Sequence, residues 1–254
     1  MTRIDLNCDL GESFGAWRMG EDAALLDLVS SANIACGFHA GDFMVMQQTV
    51  GMAVERGVAI GAHVSLPDLQ GFGRREMRVT AAEVQAMTLY QLGALHAFVR
   101  AAGAQLSHVK PHGALYNMAA HDRPLADAIA RAVREFEPRL HLFGLAGSAL
   151  IDAGKALDLP VAAEAFADRR YLANGALQPR GEANAVIDDA EVATAQALQI
   201  VLDGTVVATH GERIGLHADT LCLHGDGTHA LRLARQLRTT LEAAGVRIAA
   251  PGDA

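Results

Sequence analysis

RIDLNCDLGES, residues 3–13, alternates apolar and polar side chains without a break: Ile4, Leu6, Cys8 and Leu10 against Asp5, Asn7 and Asp9. A period of two is the strand signature, because successive side chains leave a pleated backbone on opposite faces. Asp, Asn and Asp therefore share one face. Two arrangements tolerate such a face. One is an edge strand that turns it to water; the other is a closed barrel, where one strand face meets the outer helices and the other lines the interior.

The remaining strand-like runs favour the barrel. Reading outward from the first, they are IDLNCD (4–9), ANIACG (32–37), VAIGAH (58–63), LSHVKP (106–111), HLFGLA (141–146), PVAAEAF (160–166) and TLCLHG (220–225). Helical patterns fall between them. Residues 42–57 carry apolar residues at helical spacing and stop at Gly57. Residues 80–103 open with Thr80 and Glu83 in capping-box spacing and end at Gly103. A further helix opens at DDAE (188–191) and ends near Gly204, and a last amphipathic one runs from about Thr228 to Gly245 with Arg232, Arg235 and Arg238 outward. TVVATHGERIGLHAD (205–219) reads as a hairpin turning at His210–Gly211. Strands joined by crossover helices pair in parallel, so the pattern predicts one domain over 1–254, either an open doubly wound sheet or a closed (β/α) barrel.

Parallel strands bring their C-terminal ends to one rim. In SHVKPH, alternation puts His108, Lys110 and His112 on one face; in TLCLHGD it groups Cys222, His224 and Asp226. His63 closes AIGAH, His39 follows IACG by two residues, and Glu164 and Asp168 end AAEAFAD. One histidine at a strand end is commonly a satisfied core or loop residue. Several converging with Asp9, Lys110 and Asp168 predict a polar pocket built for chemistry.

Composition narrows the class of protein. Of 254 residues, 51% are apolar and 20% charged, enough to bury a sizeable core. Lys plus Arg number 21 against 29 Asp plus Glu, a net charge of −8 with no dense basic run, which argues against a nucleic-acid or anionic-membrane partner. Three cysteines without framework spacing suggest reduced thiols in a cytoplasmic protein. The N-terminus lacks a signal-peptide core, and no run approaches the roughly 18 apolar residues of a membrane span.

Individual motifs add detail. NIACGFHAGD (33–42) is a strand end followed by small residues, a histidine and a helix start at Asp42. GFGRRE (71–76) lacks the third glycine of a dinucleotide fingerprint, but Arg74 and Arg75 suit a carboxylate or phosphate as well as they suit solvent. Pro111 forbids a helix through His108 and His112, so their spacing is not a helical zinc pair; Lys110, ending a strand, suits an electrophile or a base. Asp168 and Arg169 stand on a loop after a strand, where a surface ion pair is the plain alternative. There is no GxxxxGK[ST], GxSxG, HExxH or CxxC string. Hydrolysis here would rest on carboxylate and imidazole chemistry, with a metal at Asp9, His39 and His63 as one option.

Taken in order, DLNCDLGESFG (5–15), NIACGFHAGD (33–42), GAHVSLPDLQGFGRR (61–75), VKPHGALYN (109–117), EAFADRRY (164–171) and CLHGDG (222–227) resemble the LamB/YcsF family. The resemblance implies a seven-stranded parallel (β/α) barrel of the glycoside hydrolase/deacetylase type. It also implies ATP-dependent opening of 5-oxoproline (pyroglutamate) to L-glutamate by the A subunits of 5-oxoprolinase, working with separate B and C subunits. ATP would be consumed by the complex through those partners, in keeping with the missing phosphate loop, and a divalent metal is compatible. The expected catalytic residues are Asp9, His63, Lys110 and His112. Asn7, Glu12, His39, Arg74, Arg75, Asp168, Arg169, His224 and Asp226 are expected to bind substrate. One departure is Val64 and Leu66, where the family more often has GAHPSYPD; it bears on the packing of that loop. Two other readings stay open: a stand-alone metal-dependent deacetylase or amidohydrolase, and a non-catalytic chain that binds substrate for its partners.

Overall fold

The computed structural model describes residues 2–223 and 230–252. Seven strands close a parallel barrel: β1 (Arg3–Leu10), β2 (Ser31–Ala35), β3 (Ala59–Val64), β4 (Leu106–Pro111), β5 (His141–Leu145), β6 (Val161–Phe166) and, after a hairpin, β9 (Thr220–Leu223). Each pairs with the next, and β9 pairs back onto β1 through Asp5↔Thr220 and Asn7↔Cys222. Closure by β1 and β9 rules out both the open sheet and the edge strand. The hairpin is β7 (Thr205–Val207) against β8 (Arg213–Gly215), turning where the sequence places it. A short β10 (Arg247–Ile248) extends β1 at its beginning.

The crossovers carry α1 (Asp22–Leu26), α2 (Phe43–Glu55), α3 (Ala81–Ala101), α4 (Gly113–His121), α5 (Arg123–Phe136), α6 (Ala149–Ala156) and α7 (Ala190–Leu198), with α8 (Ala230–Ala243) after β9. Their boundaries follow local chemistry. Asp42 caps α2 by accepting from Met44 N and Val45 N, and Thr80 with Glu83 forms the reciprocal capping box of α3. Asp122 ends α4 and starts α5, its side chain accepting from Leu125 N. A π-helical turn at Gln199–Asp203 continues α7 and stops at Gly204 in the left-handed region, φ 63°. Among the described residues, no helix is long and apolar enough to cross a membrane.

The apolar core is the ring between strands and helices, not the barrel axis. Ile4, Leu6, Cys8 and Leu10 of β1 all point outward and are buried there. Asp5, Asn7 and Asp9 point inward and are also buried. The end of β3 and the start of the loop to α3, which carry Val64 and Leu66, are tightly held. Both side chains are fully buried, and Gln91 of α3 clamps Ser65 by accepting from its N–H (2.8 Å) and donating to its carbonyl (2.9 Å).

Candidate active site

Register decides which inward side chains meet. Along one line of pairing lie Asp9↔Asn33, Asn33↔Gly61 and Gly61↔His108. Gly61 has no side chain, and the His108 ring fills that space: a Cβ on Gly61 would lie 2.0 Å from His108 Nε2. Through the gap, His108 Nε2 reaches Asn33 Oδ1 at 2.9 Å, while its ring stacks on Phe143 with centroids 4.2 Å apart. Burial, with lesser contributions from His141 and Lys110, pulls the His108 pKa down to about 3. The neutral ring therefore donates from Nε2, which fixes the Asn33 amide. Its NH2 donates to Asn7 Oδ1 (2.7 Å) and Asp9 Oδ1 (2.9 Å).

Lys110 is the centre of this layer. Its ammonium lies 3.0 Å from Asn7 Oδ1, 3.0 Å from Asp9 Oδ1, 2.8 Å from Glu164 Oε1 and 3.0 Å from Cys222 Sγ. Burial alone would depress its pKa, but the carboxylates of Asp9 and Glu164 outweigh that and hold it well above the ordinary lysine value. Of the two roles left open by the sequence, electrophile and base, only a fixed cation suits this setting. Cys222 stays a thiol: burial raises its pKa further than Lys110 can lower it. Beneath this layer Asp5 accepts from Ser30 Oγ (2.6 Å), Ser31 Oγ (2.8 Å) and Thr220 Oγ1 (2.5 Å). Asn7 Nδ2 ties the layers together, donating to Glu164 Oε1 (2.9 Å) and Thr220 Oγ1 (2.7 Å).

Above Lys110, at the C-terminal ends of the strands, two imidazoles face each other. His63 Nδ1 lies 3.0 Å from the Lys110 carbonyl, and His112 Nε2 lies 2.9 Å from the Phe72 carbonyl. A carbonyl only accepts, so each of those nitrogens carries a hydrogen, which leaves His63 Nε2 and His112 Nδ1 as the ring nitrogens turned toward each other. These two are 2.9 Å apart. Asp9 Oδ2 is 3.2 Å from His63 Nε2, and Glu12 Oε1 is 3.6 Å from His112 Nδ1 and 3.3 Å from His39 Nε2. The His39 ring stacks on His112 at 3.8 Å. Burial first, then neighbouring histidines, keeps His39 and His112 well below the ordinary histidine pKa.

Lone pairs and carboxylate oxygens thus converge on one point, an arrangement that suits a cation between them: a shared proton or a metal ion. Glu12, His39, His63 and His112 offer ligand atoms that all lie within 4.8 Å of one another. Three imidazoles, two of them oriented by backbone carbonyls, with a carboxylate beside them, are the donor set of a zinc-type divalent site, so the residues present fit such an ion. The sequence placed the option at Asp9, His39 and His63; the geometry keeps His39 and His63, adds Glu12 and His112, and leaves Asp9 alongside.

A recess of about 60 Å³ opens onto this cluster, and Asp9, Glu12, His63, Lys110, His112, Arg74 and Arg169 line it. Asn7 lies in the layer below, and His39 sits behind Glu12, both fully buried. Two expected residues lie elsewhere. Arg75 is not part of the lining, because its guanidinium is bound to the carboxylate of Asp68. Asp168 is not part of it either: its carbonyl accepts from Ile187 N at 2.8 Å and anchors the loop after β6. His224 and Asp226 fall outside the described residues. Asn33, Tyr116, Asn117 and Arg180 belong to the site although the sequence did not single them out. Asn33 had a visible signal, since it is the polar residue at the inward phase of ANIAC; Tyr116, Asn117 and Arg180 stand on a helix and a loop, with no strand phase to reveal them.

A closed parallel barrel with an acid, imidazole and lysine cluster at the C-terminal rim defines a (β/α) barrel with its candidate site where such barrels carry theirs. The profile of the LamB/YcsF family matches residues 4–254, and the chain belongs to that family. It is 58% identical to the 5-oxoprolinase A subunit of Tolumonas auensis, covering 98% of this chain and 100% of that one. It is 53% identical to the 5-oxoprolinase A subunit of Bacillus subtilis, over 98% and 97% of the two chains. The crystal structure of a lactam utilization protein from Thermus thermophilus superposes with a TM-score of 0.93 at 48% identity, covering 98% of this chain and 99% of that one. A structure described as T48 deacetylase with substrate shares the fold at a TM-score of 0.50 and 14% identity, over 97% and 87%.

Proposed function

We propose that this chain opens 5-oxoproline to L-glutamate within an ATP-dependent 5-oxoprolinase, as its A component, together with B and C subunits that handle the nucleotide. The observation that carries the reading is the placement of Asp9 and His63 on a recess in a chain that matches 5-oxoprolinase A subunits over nearly its whole length. A five-membered lactam is a resonance-stabilised amide with little strain, so its hydrolysis needs activation. Phosphorylation of the carbonyl oxygen by a partner supplies it by making the ring carbon electrophilic. Water then adds to that carbon, Asp9 or His63 takes its proton, and the ring C–N bond breaks with a proton returned to nitrogen. The acyl phosphate that remains is hydrolysed to glutamate and phosphate.

Lys110 orients Asp9 by donating to its Oδ1, and His112 lines the recess beside it with its Nε2 hydrogen committed to the Phe72 carbonyl. A divalent ion held by Glu12, His39, His63 and His112 would acidify a bound water and polarise a carbonyl oxygen. That same cluster is what favours a second reading, a metal-dependent amidohydrolase that works without ATP.

Glutamate release from 5-oxoproline, measured with ATP and with each component omitted in turn, separates the two. The proposal expects product only from the full set, and none from the full set carrying Asp9→Asn. Turnover by this chain alone, abolished by chelation, would favour the second reading; near-normal turnover with Asp9→Asn removes Asp9 from the mechanism.

A further inference from the structure

The recess does not end at the rim. It runs into a larger groove of about 1040 Å³, and the two share Arg74, Arg169 and Arg180 among their lining residues. In a chain of net charge −8, three guanidinium groups at one junction are a local reversal of sign. They are also placed by the fold. Arg169 is buried, and its guanidinium donates to the carbonyls of Gln178 (2.6 Å) and Ala185 (3.4 Å) in the loop that carries Arg180. Arg74 lies over the Phe72 ring at 5.0 Å, and that ring packs edge-on against His112 at 5.1 Å. Gly113, the first residue of α4, lines both spaces, so the positive end of that helix adds to the same potential.

We infer that Arg74, Arg169 and Arg180 form a subsite for an oxyanion group, a carboxylate or a phosphoryl group, on a ligand whose reacting amide lies inside at Asp9 and His63. The inference rests on the proposed reaction, whose substrate carries a carboxylate and whose activated form carries a phosphoryl group as well. The recess is small and takes the reacting end; the anionic end meets the arginines at its mouth. Like charges support this. Burial, followed by the charge of Arg180, lowers the Arg169 pKa to about 10, a mutual repulsion that a bound anion relieves.

Arg180 is exposed and is the residue to change. In the reconstituted complex, Arg180→Gln should raise KM for 5-oxoproline by about 10- to 100-fold, the range for losing one charge-assisted hydrogen bond, with a smaller change in kcat. Arg180→Lys should recover part of the loss. Wild-type complex should discriminate strongly against 2-pyrrolidinone, the same ring without a carboxylate, and Arg180→Gln should erase most of that preference. Calorimetry on the chain alone, with 5-oxoproline and with inorganic phosphate, assigns the group: loss of only the first in Arg180→Gln marks a carboxylate site, loss of only the second a phosphoryl site. Arg213→Gln on the hairpin should leave all of these values as in the wild type. If the complex makes no glutamate, the proposed reaction falls, while calorimetry still decides the subsite. Absence of heat with both anions, or equal affinities in wild type and Arg180→Gln, overturns it.

Discussion

Replacing Lys110 with methionine is the sharpest perturbation the barrel interior offers. Methionine matches the length of the lysine stem and removes only the ammonium. In the native barrel that ammonium contacts Asp9 Oδ1 at 3.0 Å and Glu164 Oε1 at 2.8 Å, with its own side chain 3% exposed. Two carboxylates then share an enclosed space with no lysine between them. Removing one partner of a buried pair costs about 3–5 kcal/mol, mainly because the charge left behind is desolvated and uncompensated. Unfolding of a chain this size shifts by roughly 2–4 °C per kcal/mol, so the melting temperature should fall by about 6–20 °C. Thermal and urea unfolding of wild type and Lys110→Met measure it. The double variant Lys110→Met/Glu164→Gln provides the control. Removing the stranded carboxylate should restore part of the loss, so that the double variant is more stable than Lys110→Met alone. A loss under about 1 kcal/mol, or a double variant whose loss is the plain sum of the singles, would refute the view that Lys110 neutralises the buried carboxylates.

Gly61→Ala should destabilise the protein by about 1–3 kcal/mol or more, because the new methyl would sit 2.0–2.5 Å from the His108 ring in a packed interior; unfolding free energy measures it. Asp5 gives a pH signature. Burial, against the opposing bonds from Ser30, Thr220 and Ser31 and with a further push from Glu164, raises its pKa from 3.8 to about 6. The folded state thus keeps the proton that the unfolded chain releases near pH 4, and stability drops as pH rises toward 6. Relative to Asp5→Asn, which lacks this titration, wild type should lose about 2 kcal/mol between pH 4.5 and 7, read from urea unfolding at the two values; a constant difference defeats the assignment. For the metal, zinc at about a hundred times its dissociation constant should raise the melting temperature by about 5–10 °C in wild type and not in His112→Ala, and chelation should reverse the gain.

The first strand was legible because its alternation is unbroken, whereas HLFGLA and PVAAEAF, almost wholly apolar, were legible as short runs set between helical patterns. Closure was not. Whether β9 returns to β1 depends on the tilt and shear of the whole sheet, which no local string encodes. Strand phase also revealed Asp9, His63 and Lys110, since an ionisable residue at the inward phase has nowhere apolar to go. It could not tell Arg74 from Arg75. Adjacent residues on a loop have no phase, and the choice was made by Asp68, which takes the second guanidinium through the turn at Gly71. Nor could spacing show that Gly61 is the space occupied by His108. The absence of a side chain is informative only once the facing strand is in register.

The layering of the interior links stability to chemistry. Asp5 with its three hydroxyl donors closes the bottom, and Asn7, Asn33, Glu164 and Lys110 form a middle layer. In this layer the amide orientations follow one from another: His108 fixes Asn33, Asn33 fixes Asn7, and Asn7 with Lys110 fixes the near oxygen of Glu164. Such a network has one low-energy arrangement, and it holds Asp9 Oδ1 from below with two donors, Asn33 and Lys110. The other oxygen of Asp9 is turned toward His63 and the recess. The lower layers thus orient this oxygen before any ligand arrives, which lowers the reorganisation that the proposed reaction would otherwise require. The upper layer is different in kind, for imidazole lone pairs and carboxylate oxygens converge there within reach of one small ion. The barrel is complete as a scaffold, and its rim has the donors that the proposed cation and the proposed anionic ligand each require.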